Sequence, residues 1–211
     1  MVAVMVLVSI VLFSVLGHIG ADPRGGQNCT CLGRRCEVSE TVLLDPDTAS
    51  RWLVLSEGER RVRRSNVEQD IPDHFRKFNE ACVLGRSGFS TGQHYWEVQL
   101  LQEGDGWSLG VASDTASLEE WVIEEPEAGV WVVARWGRKG QYVALTSLQA
   151  TPLTLHEEPV RLGVHLDYEG GRLSLCNADT MEHLYTFTEA GFTDRVYPYL
   201  HLGLFAEMRL D

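Results

Sequence analysis

Cys29, Cys31 and Cys36 place three thiols close together, and no Cys or His follows nearby on the C-terminal side to complete a set. A structural zinc site takes four Cys or His ligands, so this spacing points to plain thiols, a local disulfide or lipid attachment, and no metal is expected. Cys82 and Cys176 lie far apart in apolar or strand-like surroundings, and an odd total of five cysteines does not indicate a regular disulfide framework. Cys82 reads as a small buried apolar residue. Glu119, Glu120, Glu124, Glu125 and Glu127 gather carboxylates around Pro126, a pattern that reads as a solvated loop face rather than an acid–base pair. Arg60, Arg61, Arg63 and Arg64 follow Glu57 and Glu59 and read as a solvated strand edge or loop. No phosphate-cradling glycine loop, nucleophile elbow or HExxH occurs. Without a nucleophile and base, a carboxylate pair or a metal cluster, no catalytic residue and no cofactor is expected, and the chemistry left is binding.

Binding side chains need a scaffold, and 211 residues suffice for one well-cored domain and a short appendage. The chain is 44% hydrophobic and 23% charged, with six Trp that require a core or an interface. A net charge of −12 repels phosphate backbones, and no basic stripe with interleaved aromatics offsets it. Nucleic acid is excluded as the expected partner.

Residues 1–16 form an apolar run interrupted only by Ser9 and Ser14, and the first charged side chain is Asp22. Counted through Ala21, the run matches a bilayer crossing, while its first part alone is nearer a signal-peptide core. Arg24, Arg34 and Arg35 follow it and no Lys or Arg precedes it, a bias that favours a membrane span with the downstream chain in the cytosol. Ile19-Gly20-Ala21 is nevertheless an acceptable cleavage context, and Asn28-Cys29-Thr30 is a glycosylation sequon. The expected organisation is an apolar helical segment over 1–21, a linker over 22–37 rich in Gly, Arg and Cys, and one domain over 38–211.

Within that domain the apolar residues alternate, as side chains on a half-buried strand must. Trp96, Val98 and Leu100 face one way and Tyr95, Glu97 and Gln99 the other; Trp107, Leu109 and Val111 alternate with Ser108 and Gly110. Val160, Leu162, Val164 and Leu166 alternate with Arg161, Gly163, His165 and Asp167, and Glu169-Gly170-Gly171 then offers a tight turn into Leu173 and Leu175. Asp167 and Glu169 are read as acceptors that cap this turn. Helical periodicity is nearly absent, and the fold class expected is an all-β, two-sheet antiparallel sandwich.

Several ordered motifs resemble those of PRY-SPRY domains. Leu44-Asp45-Pro46-Asp47-Thr48-Ala49 is similar to the opening of the PRY segment. Cys82-Val83-Leu84-Gly85, Gly88-Phe89-Ser90-Thr91-Gly92 and His94-Tyr95-Trp96-Glu97-Val98 resemble the family core, and Leu166-Asp167-Tyr168-Glu169 its later turn. Leu184-Tyr185-Thr186-Phe187 and Pro198 resemble the closing strands. The resemblance covers residues 38–204 and implies a SPRY-type sandwich that binds a protein ligand through its loops. PRY-SPRY domains occur in TRIM ubiquitin ligases, in butyrophilins and in some secreted proteins. An apolar segment and linker with no RING, B-box or coiled-coil heptads before the domain is most similar to a butyrophilin lacking its immunoglobulin ectodomain, which implies immune regulation; a secreted protein with an extracellular target is the alternative.

The resemblance places the ligand-binding surface on the loops 60–66, 114–127, 134–141 and 199–204. Arg135, Trp136, Arg138, Tyr142 and His201 are its candidate residues, because Trp, Tyr and Arg dominate interface hot spots. Trp131, inside the apolar run 130–134, is read as core. Butyrophilins that sense phosphorylated metabolites use a basic pocket on this domain. The matching positions here include Ser108, Val143 and Gln149, and His201 alone could carry a positive charge, so a phosphorylated small-molecule ligand is not expected.

Overall fold

The computed structural model describes residues 39–70, 79–117, 122–136, 140–147 and 150–211. The expected apolar helix over 1–21, the linker over 22–37, Arg138 and Gln149 lie outside the described residues. Among the described residues no helix is long and apolar enough to cross a membrane, and the helical element present is one 3₁₀ turn, Pro126–Ala128.

Two antiparallel sheets face each other, as the alternation predicts. The first has seven strands in the order β1 (Leu53–Ser56), β2 (Arg61–Arg64), β13 (Glu207–Leu210), β4 (Gln93–Gln102), β9 (Arg161–Asp167), β10 (Arg172–Asn177) and β11 (His183–Phe187). The second has six, in the order β3 (Cys82–Leu84), β12 (Val196–Leu202), β5 (Gly106–Ser113), β6 (Val130–Trp136), β7 (Gln141–Leu145) and β8 (Ala150–Pro152). Trp96, Val98, Leu162, Val164 and Leu166 from the first sheet meet Trp107, Leu109, Val111, Leu200 and Leu202 from the second in one dry core. Trp131 joins that core, edge-on to Phe192 at 4.9 Å. Val160 departs from the expected alternation: it precedes β9 and is exposed.

The family motifs turn out to be structural devices. In the Leu44 to Ala49 motif, Asp45 accepts the Asp47 N–H at 3.0 Å, and Leu44 and Ala49 point inward. The Asp45 N–H donates to the Leu84 carbonyl at 2.8 Å, tying this segment to the end of β3. In the β9–β10 hairpin Asp167 accepts the Gly170 N–H at 3.0 Å and caps the turn as expected, whereas Glu169 reaches out of the turn and accepts the Gly92 N–H at 2.8 Å, tying the hairpin to the segment before β4. The arginine cluster lies on β2, between β1 and β13 rather than at a sheet edge, and Arg61 is paired with Glu57 and Glu207, each at 2.7 Å.

β5 differs from a half-buried strand, since all of its residues are buried. The reason is a second apolar cluster on the outer face of the six-stranded sheet. Cys82, Leu84, Ala112, Val130, Val132 and Tyr199 form it, and Val122 from the β5–β6 connection packs over them. The part of that connection that carries Val122 and Glu124 therefore lies against the sheet.

Candidate functional site

The β5–β6 connection returns to the sheet through Pro126–Ala128 and Gly129, whose φ of 78° is a left-handed value that suits glycine. Just before this turn the chain delivers Glu124 onto the outer face of the six-stranded sheet. Period two puts Ser108 on β5, Tyr199 and His201 on β12, Cys82 on β3 and Trp136 on β6 on that same face. Register then brings them together, because His201 is the cross-strand partner of both Ser108 and Cys82.

The resulting polar cluster is closed on itself. Glu124 Oε2 accepts from Ser108 Oγ at 2.7 Å, and Oε1 accepts from Tyr199 OH and His201 Nδ1, each at 3.0 Å. Trp136 Nε1 donates to Ser108 Oγ at 3.1 Å, and the Trp136 ring lies 5.2 Å from the His201 ring, tilted by 57°. Cys82 Sγ sits 2.9 Å from Tyr199 OH. Tyr199 has one proton and an ionised Glu124 only accepts, so Tyr199 donates to Glu124 and the Cys82 thiol donates to Tyr199. Burial pushes the Tyr199 hydroxyl and the Cys82 thiol well above their ordinary values, and the neighbouring Glu124 carboxylate adds to both shifts. Cys82 thus remains a protonated thiol, buried as expected but hydrogen-bonded rather than merely apolar. Among the described residues Cys82 is a free thiol, whereas Cys176 is disulfide-bonded.

Of the residues singled out in the sequence, Trp136 and His201 share this outer face. Arg135 and Tyr142 are register partners on the opposite face. Arg135 pairs with Glu103 at 2.8 Å, Tyr142 OH donates to the same carboxylate at 3.0 Å, and the guanidinium stands 5.9 Å from the Tyr142 ring centre. Tyr142 is buried against Trp107, and burial next to Glu103 raises its hydroxyl pKa. The five candidates thus do not form one patch: two are on the outer face, two support the sheet from within, and Arg138 lies outside the described residues. Glu124 is the residue that the sequence reading missed. Read there as part of a solvated acidic face, its side chain is only 11% exposed.

Three of the four proposed loops converge on one end of the sandwich. Arg64 NH1 donates to the Leu202 carbonyl at 3.0 Å, and the Gly203 N–H donates to the Gly106 carbonyl at 2.8 Å. Gly106 is in turn the register partner of Trp136. Gly106 has φ of 143°, and a Cβ there would run into the Trp136 ring, so its lack of a side chain is what lets the indole lie against the backbone. Leu204 and Phe205, in the turn after β12, are exposed at this end.

The SPRY domain family matches residues 93–209, and the SPRY-associated domain, PRY, matches residues 42–89. The chain belongs to the PRY-SPRY family. This PRY-SPRY chain is 40% identical over 171 residues to the human E3 ubiquitin-protein ligase TRIM38, covering 81% of the chain and 36% of that protein. It is 41% identical over 166 residues to the human zinc finger protein RFP, covering 78% of the chain and 32% of that protein. The chain thus spans about a third of the length of these curated relatives. The PRY-SPRY domain of TRIM65 superposes with a TM-score of 0.71 at 21% identity over 82% of this chain and 90% of that one. Stonustoxin superposes with a TM-score of 0.70 at 24% identity over 81% of this chain and 28% of that one. At such identities these two likenesses establish the fold. SPRY domains are protein-interaction modules, and the family places the present PRY-SPRY chain in that broad class.

Proposed function

We propose that this chain is a non-catalytic module that captures a protein ligand at the sandwich end carrying Trp136, His201 and the turn 203–206. The observation that carries this reading is the part-exposed Trp136, fixed by its bond to Ser108 and by His201 beside it. An aromatic side chain already held in one orientation loses little entropy on binding, which is what an interface anchor requires. Exposed Leu204 and Phe205 supply apolar area nearby, and Arg135 and Tyr142 stiffen β6 and β7 from the inner face. The polar groups around Glu124 satisfy one another, and none is poised as a nucleophile with a free base, in keeping with binding rather than turnover. A carboxylate at the His201 position disfavours phosphorylated small molecules, and the net charge of −12 disfavours nucleic acid. Capture from cell extract followed by mass spectrometry tests the surface. Proteins retained by the wild type and by Val160→Ala should be lost with Trp136→Ala; retention by Trp136→Ala would reject it.

The same proposal extends to location. The domain over 38–211 is tethered by residues 1–21 as a single membrane span, faces the cytosol, and serves butyrophilin-like immune regulation. Its support is the length of the apolar run and the arginines that follow it. One observation favours a second reading, a secreted protein acting on an extracellular target: the disulfide state of Cys176 suits an oxidising compartment. Protease digestion of intact membranes separates the two. Cleavage of the domain supports the cytosolic tether, and protection of the domain or a glycan on Asn28 supports secretion.

A further inference from the structure

Beside the Glu124 cluster, Glu80, Cys82 and His201 each direct one ligand-type atom into a common space, with all three atoms within 4.8 Å of one another. Cys82 and His201 are held there by β3–β12 pairing, and the Cys82 N–H donates to the Glu80 carbonyl at 2.7 Å, fixing the turn that precedes the strand. Glu124 orients His201: its carboxylate only accepts, so Nδ1 carries a proton, and in the neutral ring Nε2 is the nitrogen with a lone pair to offer. A histidine whose second nitrogen donates to a carboxylate is the arrangement that orients imidazole for a metal ion and raises its basicity.

We propose that Glu80, Cys82 and His201 form a binding site for a borderline divalent transition-metal ion, zinc above all, with water as the fourth ligand and Glu124 as the orienting carboxylate. One sulfur, one imidazole nitrogen and one carboxylate oxygen match zinc and cobalt rather than magnesium or calcium, which take oxygen ligands. A tetrahedral ion needs ligand atoms about 3.5 Å apart, and part-exposed Glu80 provides the closing movement by a change of rotamer. As the ion binds, the Cys82 S–H bond breaks, an S–metal bond forms and the proton passes to solvent. Arg64 stands near Cys82 and opposes the incoming cation, while the carboxylates of Glu80 and Glu124 outweigh it. This site was invisible in the sequence, where Cys82 and His201 are far apart. It stands independently of the protein-ligand reading, although both use His201.

The test is a cobalt titration of the full chain in detergent, in a background carrying Cys29→Ser, Cys31→Ser, Cys36→Ser and Cys176→Ser so that Cys82 is the one thiol left to report. The expected result is a near-ultraviolet sulfur-to-cobalt band with tetrahedral visible bands, reversed by zinc and not by magnesium, with about one proton released per ion. Cys82→Ser should abolish the band. His201→Gln and Glu80→Gln, which alter part-exposed side chains, should each weaken cobalt binding by on the order of tenfold or more while leaving the circular dichroism unchanged. Absence of the band at millimolar cobalt, its survival in Cys82→Ser, or a loss smaller than about threefold in either of the other variants would overturn the site.

Discussion

Replacing Glu124 by Ala removes the acceptor shared by three donors. Ser108 and Tyr199 are fully buried; the Ser108 hydroxyl proton is left without an acceptor, the Tyr199 hydroxyl can turn to Cys82 Sγ at 2.9 Å, and the His201 side chain, 16% exposed, regains water. A stranded buried donor costs about 1–3 kcal/mol. One such donor, Ser108, with little added for Tyr199 and His201, gives an expected loss of roughly 1–3 kcal/mol for Glu124→Ala. For a domain of this size that corresponds to a fall in Tm of roughly 2–12 °C. Glu124→Gln keeps one carbonyl acceptor and should fall between Ala and the wild type, while Glu127→Ala, at an exposed position, should change stability by less than about 0.5 kcal/mol. Urea unfolding of residues 38–211 followed by Trp fluorescence, with a thermal scan as a second probe, measures all three. If Glu124→Ala lies within about 0.5 kcal/mol of the wild type, the carboxylate is solvated and the cluster on the outer face is not the organising feature described above.

Residues 38–211 expressed alone should show strand-dominated circular dichroism in the presence of a chelator, because the core is complete without the N-terminal run; dominant helix would refute this. Gly106→Ala should destabilise the domain by roughly 1–3 kcal/mol through its φ and the Trp136 ring, whereas Gly191→Ala, with open space around it, should be nearly silent; urea midpoints compare the two. Asp167 is affected most by burial, which raises its pKa, yet the bonds from Arg172 and Gly170 outweigh this and hold it below the ordinary carboxylate value. Its stabilising contribution is therefore complete above about pH 4 and fades as the pH falls through the lowered value. Asp167→Asn should lose about 1–3 kcal/mol at neutral pH and decline less on acidification; parallel curves of Tm against pH for the two proteins would contradict it.

Much of the fold was legible because strand alternation is a local property. Whether Leu162, Val164 and Leu166 share a face depends only on the extended backbone, and the turn at Gly170-Gly171 depends only on neighbours in the chain. The burial of Trp131 was equally readable from the apolar run around it. The site was less so. Arg135 and Trp136 are adjacent in sequence and similar in hot-spot propensity, yet adjacency on a strand sends them to opposite faces, a consequence that the alternation already contained. Glu124 offered no such signal, because a carboxylate in an acidic, proline-containing loop carries no mark of the surface it will meet.

The sequence by itself determined the all-β class, the inward faces of β4, β5, β9 and β10, the capping role of Asp167, and the family to which the chain belongs. Only the tertiary structure decided which strands are neighbours, and hence that Cys82, Ser108, Tyr199 and His201 share one face with Trp136. It also decided that the end of the β5–β6 connection meets that face and buries Glu124 among them. Periodicity reports which side of a strand a residue occupies, but the partner on the next strand is set by sheet order and register. The fate of a loop carboxylate is set by the donors it finds once the sheet has formed, and those donors come from strands distant in the chain.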